Sequence, residues 1–187
     1  MIPEPHPETR LPPFAFRLHQ FISRGDSVYA SLGPEADRHL TLQGQRFVPG
    51  DRERVLLPLV FCRECGQEYY SVRVAEDGPA QAFLVPRDLT DRSDEGGTPA
   101  YLHLSTDQPW SSDDGVRLLD RVPDDWVEEH PRFGPRVKKA QEKYLPRPVC
   151  LTPDGRVTCN GDGLKGHLMP APFRFCPCCG VAYNTYH

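Results

Sequence analysis

The sequence predicts an α+β domain that is mainly β, and three observations carry that expectation. Short runs rich in Val, Leu and Tyr recur between Gly, Pro and charged residues, the pattern of strands joined by turns. Hydrophobic residues make up only 38% of the 187, beside 21 prolines and 15 glycines, so the core is thin and the turns are many. Two matched cysteine pairs, Cys62 with Cys65 and Cys176 with Cys179, offer a cross-link that supplements such a core.

Residues 1–13 are polar and proline-rich and read as a linker or the edge of something larger; residues 14–187 form the domain. Pro12 and Pro13 precede an apolar stripe at Phe14, Leu18, Phe21 and Ile22, the spacing of one helical face, which Gly25 would end. From Ser27 the pattern turns to strands: SVYASL, HLTLQ, RVLLPLVF, EYYSVRV, AFLVP and AYLHL. The stretch Arg87 to Gly97 lacks apolar periodicity and reads as a polar loop. VPDDWVEEH is expected to be a short helix, opened by Pro123 with acids in its first turn. VCLTPDGRVTC reads as a hairpin turning at Pro153-Asp154-Gly155.

Both cysteine pairs read Phe-Cys-x-x-Cys-Gly, at Phe61 and at Phe175. Two intervening residues let one tight turn aim two thiolates at a single point, and the glycine lets the chain leave that turn with a positive φ. Two such knuckles complete a tetrahedral S₄ site, the closed geometry that Zn²⁺ takes when its role is structural. The separation is unusual, since 110 residues lie between Cys65 and Cys176. The expected architecture is therefore a split zinc ribbon with residues 66–175 inserted between its halves. Treated as a cross-link, closing that loop removes on the order of 4–5 kcal/mol of unfolded-chain entropy. A disulfide or redox pair and an iron–sulfur cluster are the competing uses of these thiols. Cys178 lies inside the second knuckle, and Cys176 with Cys179 reproduces the spacing of the first. Cys150 and Cys159 face each other across the expected hairpin, as small cross-strand side chains or as part of a second metal site with His167.

The formal net charge of −4 argues against a non-specific nucleic-acid binder working alone. One stretch runs against it: Arg132, Arg136, Lys138, Lys139, Lys143 and Arg147 stand against a single acid, Glu142. Of these, Arg132, Arg136, Lys138, Lys139 and Lys143 are the candidate phosphate contacts; otherwise they form a solvated helix face that balances Asp124, Asp125, Glu128 and Glu129. Tyr69, Tyr70, Phe173 and Phe175 flank the knuckles, either to stack on bases or to wrap the metal as a small core. No phosphate-binding loop is present, since GDGLKGH has the wrong spacing and no Ser or Thr after its lysine. There is no GxSxG and no HExxH. With all four ligand positions cysteine, no open site remains for a metal-bound water, so the chain is not expected to be an enzyme. No apolar stretch approaches the roughly 18 residues of a membrane span, and MIPEPHPETR lacks a secretory pattern, so a cytoplasmic location is expected.

Taken together, FAFRLHQFISRGDSVYASL, RHLTLQGQ, PLVFCRECGQEYYSV and PAPFRFCPCCGVAY resemble the zinc-binding region of large bacterial DEAD/DEAH-box (superfamily 2) helicases, including those of DISARM-like phage-defence systems. The resemblance runs from about Leu11 to Tyr183. It implies that Cys62, Cys65, Cys176 and Cys179 are the ligands, that the partners are helicase motor domains and DNA, and that the parent protein translocates on DNA using ATP. The motor motifs themselves are missing here, so the chain is expected to be an accessory domain, without ATPase residues of its own. A protein-interaction ribbon that never touches nucleic acid is the alternative, and a CxxC thiol oxidoreductase a further one.

Overall fold

The computed structural model describes residues 27–78, 81–88, 91, 93, 95–104, 110, 118–158 and 161–183. The linker at 1–13, the stripe at Phe14, Leu18, Phe21 and Ile22, and Cys159 lie outside the described residues. What is described is mainly antiparallel β.

The described residues form twelve strands: β1 Tyr29–Ser31, β2 Leu40–Thr41, β3 Phe47–Val48, β4 Asp51–Phe61, β5 Glu68–Glu76, β6 Ala82–Pro86, β7 Thr98–His103, β8 Val127–His130, β9 Gly134–Val137, β10 Arg147–Leu151, β11 Val157–Thr158 and β12 Leu164–Pro170. Ten form one sheet in the order β11-β10-β12-β7-β5-β4-β1-β2, with β3 on β4 and β6 on β5. β8 and β9 make a separate two-stranded ribbon.

The sheet rolls up. The turn of the β10–β11 hairpin reaches back to the opposite side: Val55 N–H donates to Pro153 O (3.0 Å) and Leu84 N–H to Gly155 O (2.8 Å). Phe83 also bridges to Arg156. Inside the roll lies an aliphatic core of Leu57, Leu59, Val72, Leu84, Leu102, Val149 and Leu151, with Tyr70 as its large ring. Gly155 sits at the closure with φ +90°, and a Cβ there would meet Val55 Cγ1 at 3.2 Å and Leu84 O at 3.3 Å. Only glycine meets both conditions.

β5 is buried on both faces along Tyr69–Arg73, apolar toward one side and carrying Ser71 and Arg73 on the other. Tyr70 and Val72 face the rolled core, while Tyr69, Ser71 and Arg73 are buried on the other side. There Arg73 donates to Gly97 O (3.1 Å) and Asp91 Oδ2 (3.0 Å), tying down the polar loop after β6. Tyr69 points into a second layer, an aromatic cap that carries the cysteines.

Two expectations need correction. VPDDWVEEH gives a single 3₁₀ turn at Asp124–Trp126 and then strand β8. Its helix-start signals are local, and pairing with β9 overrides them once Trp126 is buried in the cap. The basic stretch is likewise no helix face: it runs through β9, a turn and a 3₁₀ turn at Glu142–Tyr144. GDGLKGH, rejected as a phosphate loop, leads into β12, which pairs with β7 on one side and β10 on the other. Among the described residues no helix is long and apolar enough to cross a membrane.

Candidate metal centre

Each cysteine pair occupies the tip of a hairpin. The first caps β4 and β5, whose last pairs are Val60 with Tyr69 and Phe61 with Glu68. The second caps a short ladder in which Phe175 bridges Ala182 and Tyr183 N–H donates to Arg174 O at 2.7 Å. The two tips have the same backbone. Cys62 N–H donates to Gln67 O (2.8 Å) and Gly66 N–H returns to Cys62 O (2.9 Å). In the other, Cys176 N–H donates to Val181 O (2.9 Å) and Gly180 N–H to Cys176 O (2.8 Å). Gly66 and Gly180 leave the turns at φ 77° and 73°. This common turn is what Phe-Cys-x-x-Cys-Gly encodes.

The fold brings the two tips together across the 110 intervening residues. Sulfur ligand atoms of Cys62, Cys65, Cys176 and Cys179 all lie within 4.8 Å of one another, so the four could hold a metal ion. Cys62 Sγ is 3.8 Å from Cys179 Sγ, and Cys65 Sγ is 3.7 Å from Cys176 Sγ. A metal with sulfur at about 2.3 Å in tetrahedral array sets its ligand edges at about 3.8 Å. A disulfide needs about 2.05 Å. These two spacings match edges of a tetrahedral site rather than disulfides.

Burial divides the ligands evenly. Cys62 and Cys176 are buried, and Cys65 and Cys179 are exposed. Each buried sulfur is served by a tyrosine. Tyr69 OH lies 3.0 Å from Cys176 Sγ, and Tyr183 OH lies 3.1 Å from Cys62 Sγ while accepting Arg63 N–H at 3.0 Å. Thiolates accept only, so with metal bound both hydroxyls donate. Burial followed by the Cys176 contact raises the Tyr69 hydroxyl pKa, and burial followed by the Cys62 contact pushes Tyr183 up to about 12. Both remain donors at neutral pH.

The two buried thiols respond oppositely. Burial alone would raise Cys62, but the Tyr183 hydroxyl and the backbone amides of Cys65 and Glu64 outweigh it and hold the thiol down to about 6. For Cys176 burial prevails and the thiol is raised. The surroundings thus favour the thiolate at Cys62 and disfavour it at Cys176, where a bound cation would supply the missing stabilisation. Cys178 is not in the cluster; burial, then Cys65, pushes its thiol up to about 11.

The aromatic residues wrap the site. Phe173 packs against Tyr69 (5.0 Å between centroids), Tyr101 (5.1 Å) and Tyr183 (5.3 Å). Phe175 packs against Trp126 (4.8 Å) and Trp110 (5.9 Å). Tyr70 instead turns into the rolled core, where its hydroxyl donates to Ser31 O at 3.0 Å. His103, 1% exposed, lies against the Tyr69 ring (5.3 Å), with neither ring nitrogen hydrogen-bonded among the described residues. His167 is its cross-strand neighbour, and Cys150 pairs with Thr158. No metal-holding group among the described residues includes either His167 or Cys150.

The basic candidates are scattered. Arg132 is exposed in the turn between β8 and β9. Arg136 is ion-paired to Glu128 (2.8 Å), Lys138 Nζ donates to Asp125 O (2.6 Å), Lys143 Nζ lies 4.9 Å over the Tyr144 ring, and Lys139 is exposed. The sequence did not signal Tyr183 as a partner of the cysteines, because a lone tyrosine three residues past the second knuckle carries no pattern. Comparison with family models, with curated proteins and with solved structures yields no match.

Proposed function

We propose that the chain is a zinc-stabilised accessory domain of a DNA helicase, a split zinc ribbon without a motor of its own. The observation that carries the metal reading is the convergence of four sulfurs within 4.8 Å of one another, with two of the pairs at 3.7 and 3.8 Å. An all-thiolate set favours Zn²⁺, and four protein ligands leave no position for water, which makes the role structural. The ion ties two hairpin tips that sequence holds far apart, and so fixes the aromatic cap against the rolled sheet. The helicase reading is supported by the resemblance at the two knuckles and the flanking segments. In it the fixed surface docks on the motor domains and guides a strand.

Replacing the metal with Co²⁺ tests the first half. A tetrahedral S₄ site gives intense visible d–d bands and thiolate charge-transfer bands with one Co²⁺ per chain; weak octahedral bands contradict it. Co-purification with a subunit bearing a phosphate-binding loop tests the second half, and its failure under low salt counts against a motor partner.

The rival, a protein-interaction domain with no nucleic-acid contact, draws on two observations. The chain carries a net charge of −4, and Arg136 and Lys138 are already engaged by Glu128 and the Asp125 carbonyl. Binding of labelled single-stranded DNA at two salt concentrations separates the readings: salt-sensitive affinity favours the helicase role, and no binding favours the rival.

A further inference from the structure

β4 runs eleven residues from Asp51 to Phe61, so its start lies about 30 Å from the metal-bearing tip. At that far end a cavity of about 490 Å³ opens between the start of β4, the β5–β6 turn and the β10–β11 hairpin. That volume is the size of a small-ligand site. Its lining combines two aromatic rings, Phe47 and Phe83, with three guanidinium groups, Arg46, Arg52 and Arg156. The Arg46 guanidinium already lies over the Phe47 ring at 5.2 Å.

The charges there do not cancel. Arg46 and Arg52 are exposed and make no ion pair among the described residues. Of the two acids in the lining, Asp154 is engaged by Arg156 (3.0 Å) and by the Thr152 hydroxyl, which leaves Asp77. Two guanidinium groups without an ion pair among the described residues, beside half-buried phenyl rings, suit a ligand that is both anionic and flat. Guanidinium forks match phosphate oxygens, and a phenyl face accepts any base. An acidic peptide would use the arginines but not the rings.

The geometry points to this groove as the binding site for a nucleotide unit of single-stranded nucleic acid, with the base on Phe83 and its phosphates on Arg52 and on Arg46, which lies over the Phe47 ring. The choice of a strand over a free nucleotide rests on the helicase reading; the chemistry of the groove does not. No run in the sequence marks this site, because its cations come from positions 46, 52 and 156.

The test uses the full metal-loaded chain and a fluorescein-labelled oligothymidylate, followed by anisotropy at low and at higher salt. The Arg46→Glu, Arg52→Glu double variant changes two exposed side chains far from the metal, so its metal content and melting should match wild type. Expected is an affinity loss of about tenfold or more, and a salt slope shallower by about 1.4, the share of two phosphate contacts on a single strand. Phe83→Leu, which keeps apolar volume but removes the ring, should cost about fivefold or more. The groove is overturned, with the DNA reading intact, if wild type binds and the double variant binds equally while Lys138→Glu, Lys139→Glu abolishes binding. Absence of any wild-type binding overturns both. Competition by thymidine monophosphate as strong as by the oligomer, or stronger competition by polyglutamate, removes the strand as the ligand.

Discussion

The rolled sheet and the aromatic cap are held together by different means. The roll has a continuous backbone ladder across ten strands and an interior of aliphatic side chains. The cap is richer in rings and sulfur: Trp110, Trp126 and Phe175 with Val122 and Val137 in one cluster, Cys62, Tyr69, Met169 and Cys176 in the other. Beyond Tyr69 and Met169, which the sheet itself supplies, its backbone ties among the described residues are short: the β8–β9 ribbon, an isolated bridge at Phe175, the turn bonds of the two knuckles and single bonds such as Ala171 N–H to Pro99 O (3.1 Å). The cysteines stand where the ladder gives out. An ion at that place would supply the connection that strand pairing supplies elsewhere, and the two regions should then respond differently to its loss.

Removing the metal, by chelation or by Cys176→Ser, is the largest perturbation. The loop it closes is worth on the order of 4–5 kcal/mol. Both tryptophans of the chain are in the cap, at 4% and 6% exposure. Their emission should therefore shift to the red on chelation, ahead of the far-ultraviolet β signal. If the two signals are lost together under all conditions, the cap and the roll are one cooperative unit and the contrast fails.

Acid should act next, through His103. Burial, with His167 and Arg121 alongside, lowers its imidazole pKa to about 4, against about 6.5 in an unfolded chain. Between those values the unfolded state takes up a proton that the folded state refuses, so stability falls as pH drops from about 6.5 to 4. The loss is about 3 kcal/mol. Denaturant melts of wild type and His103→Leu across that window should show a slope in the first that is much reduced in the second. Equal slopes would place the acid sensitivity elsewhere.

Gly155→Ala strikes the roll alone. It forces a side chain into φ +90° and against Val55, at about 2 kcal/mol. Melting should drop with metal content unchanged; metal loss would show that closure of the roll and the centre are coupled. Smallest is Tyr69→Phe, which removes the donor to Cys176 Sγ. About 1.5 kcal/mol and about tenfold in metal affinity should go, read by chelator competition, while the fold persists.

The parts of the molecule that were legible in the sequence are those whose cause is local. The knuckles were legible because a two-residue turn followed by glycine is written in consecutive positions. AFLVP became β6 without adjustment, and Pro153-Asp154-Gly155 turned the hairpin as expected. β12 was not legible, since Lys165, Gly166 and His167 interrupt any alternation. Gly166 is there because a Cβ would stand 2.6 Å from Leu104 Cδ2, a reason only the packed neighbour supplies. β8 was misread because Pro123 and its acids are honest helix-start signals that the pairing with β9 overrules. The same holds at the centre: the four cysteines announced themselves, whereas Tyr183 and the buried His103 depend on which strands come to lie side by side.

Native mass spectrometry of the chain purified under reducing conditions decides whether the four sulfurs hold an ion. Expected is a mass increment of one zinc ion per chain, with thiol protons lost on binding and the increment absent in Cys62→Ser and Cys179→Ser. A metal-free chain, or one lighter by the hydrogens of a disulfide between the two pairs, would contradict it.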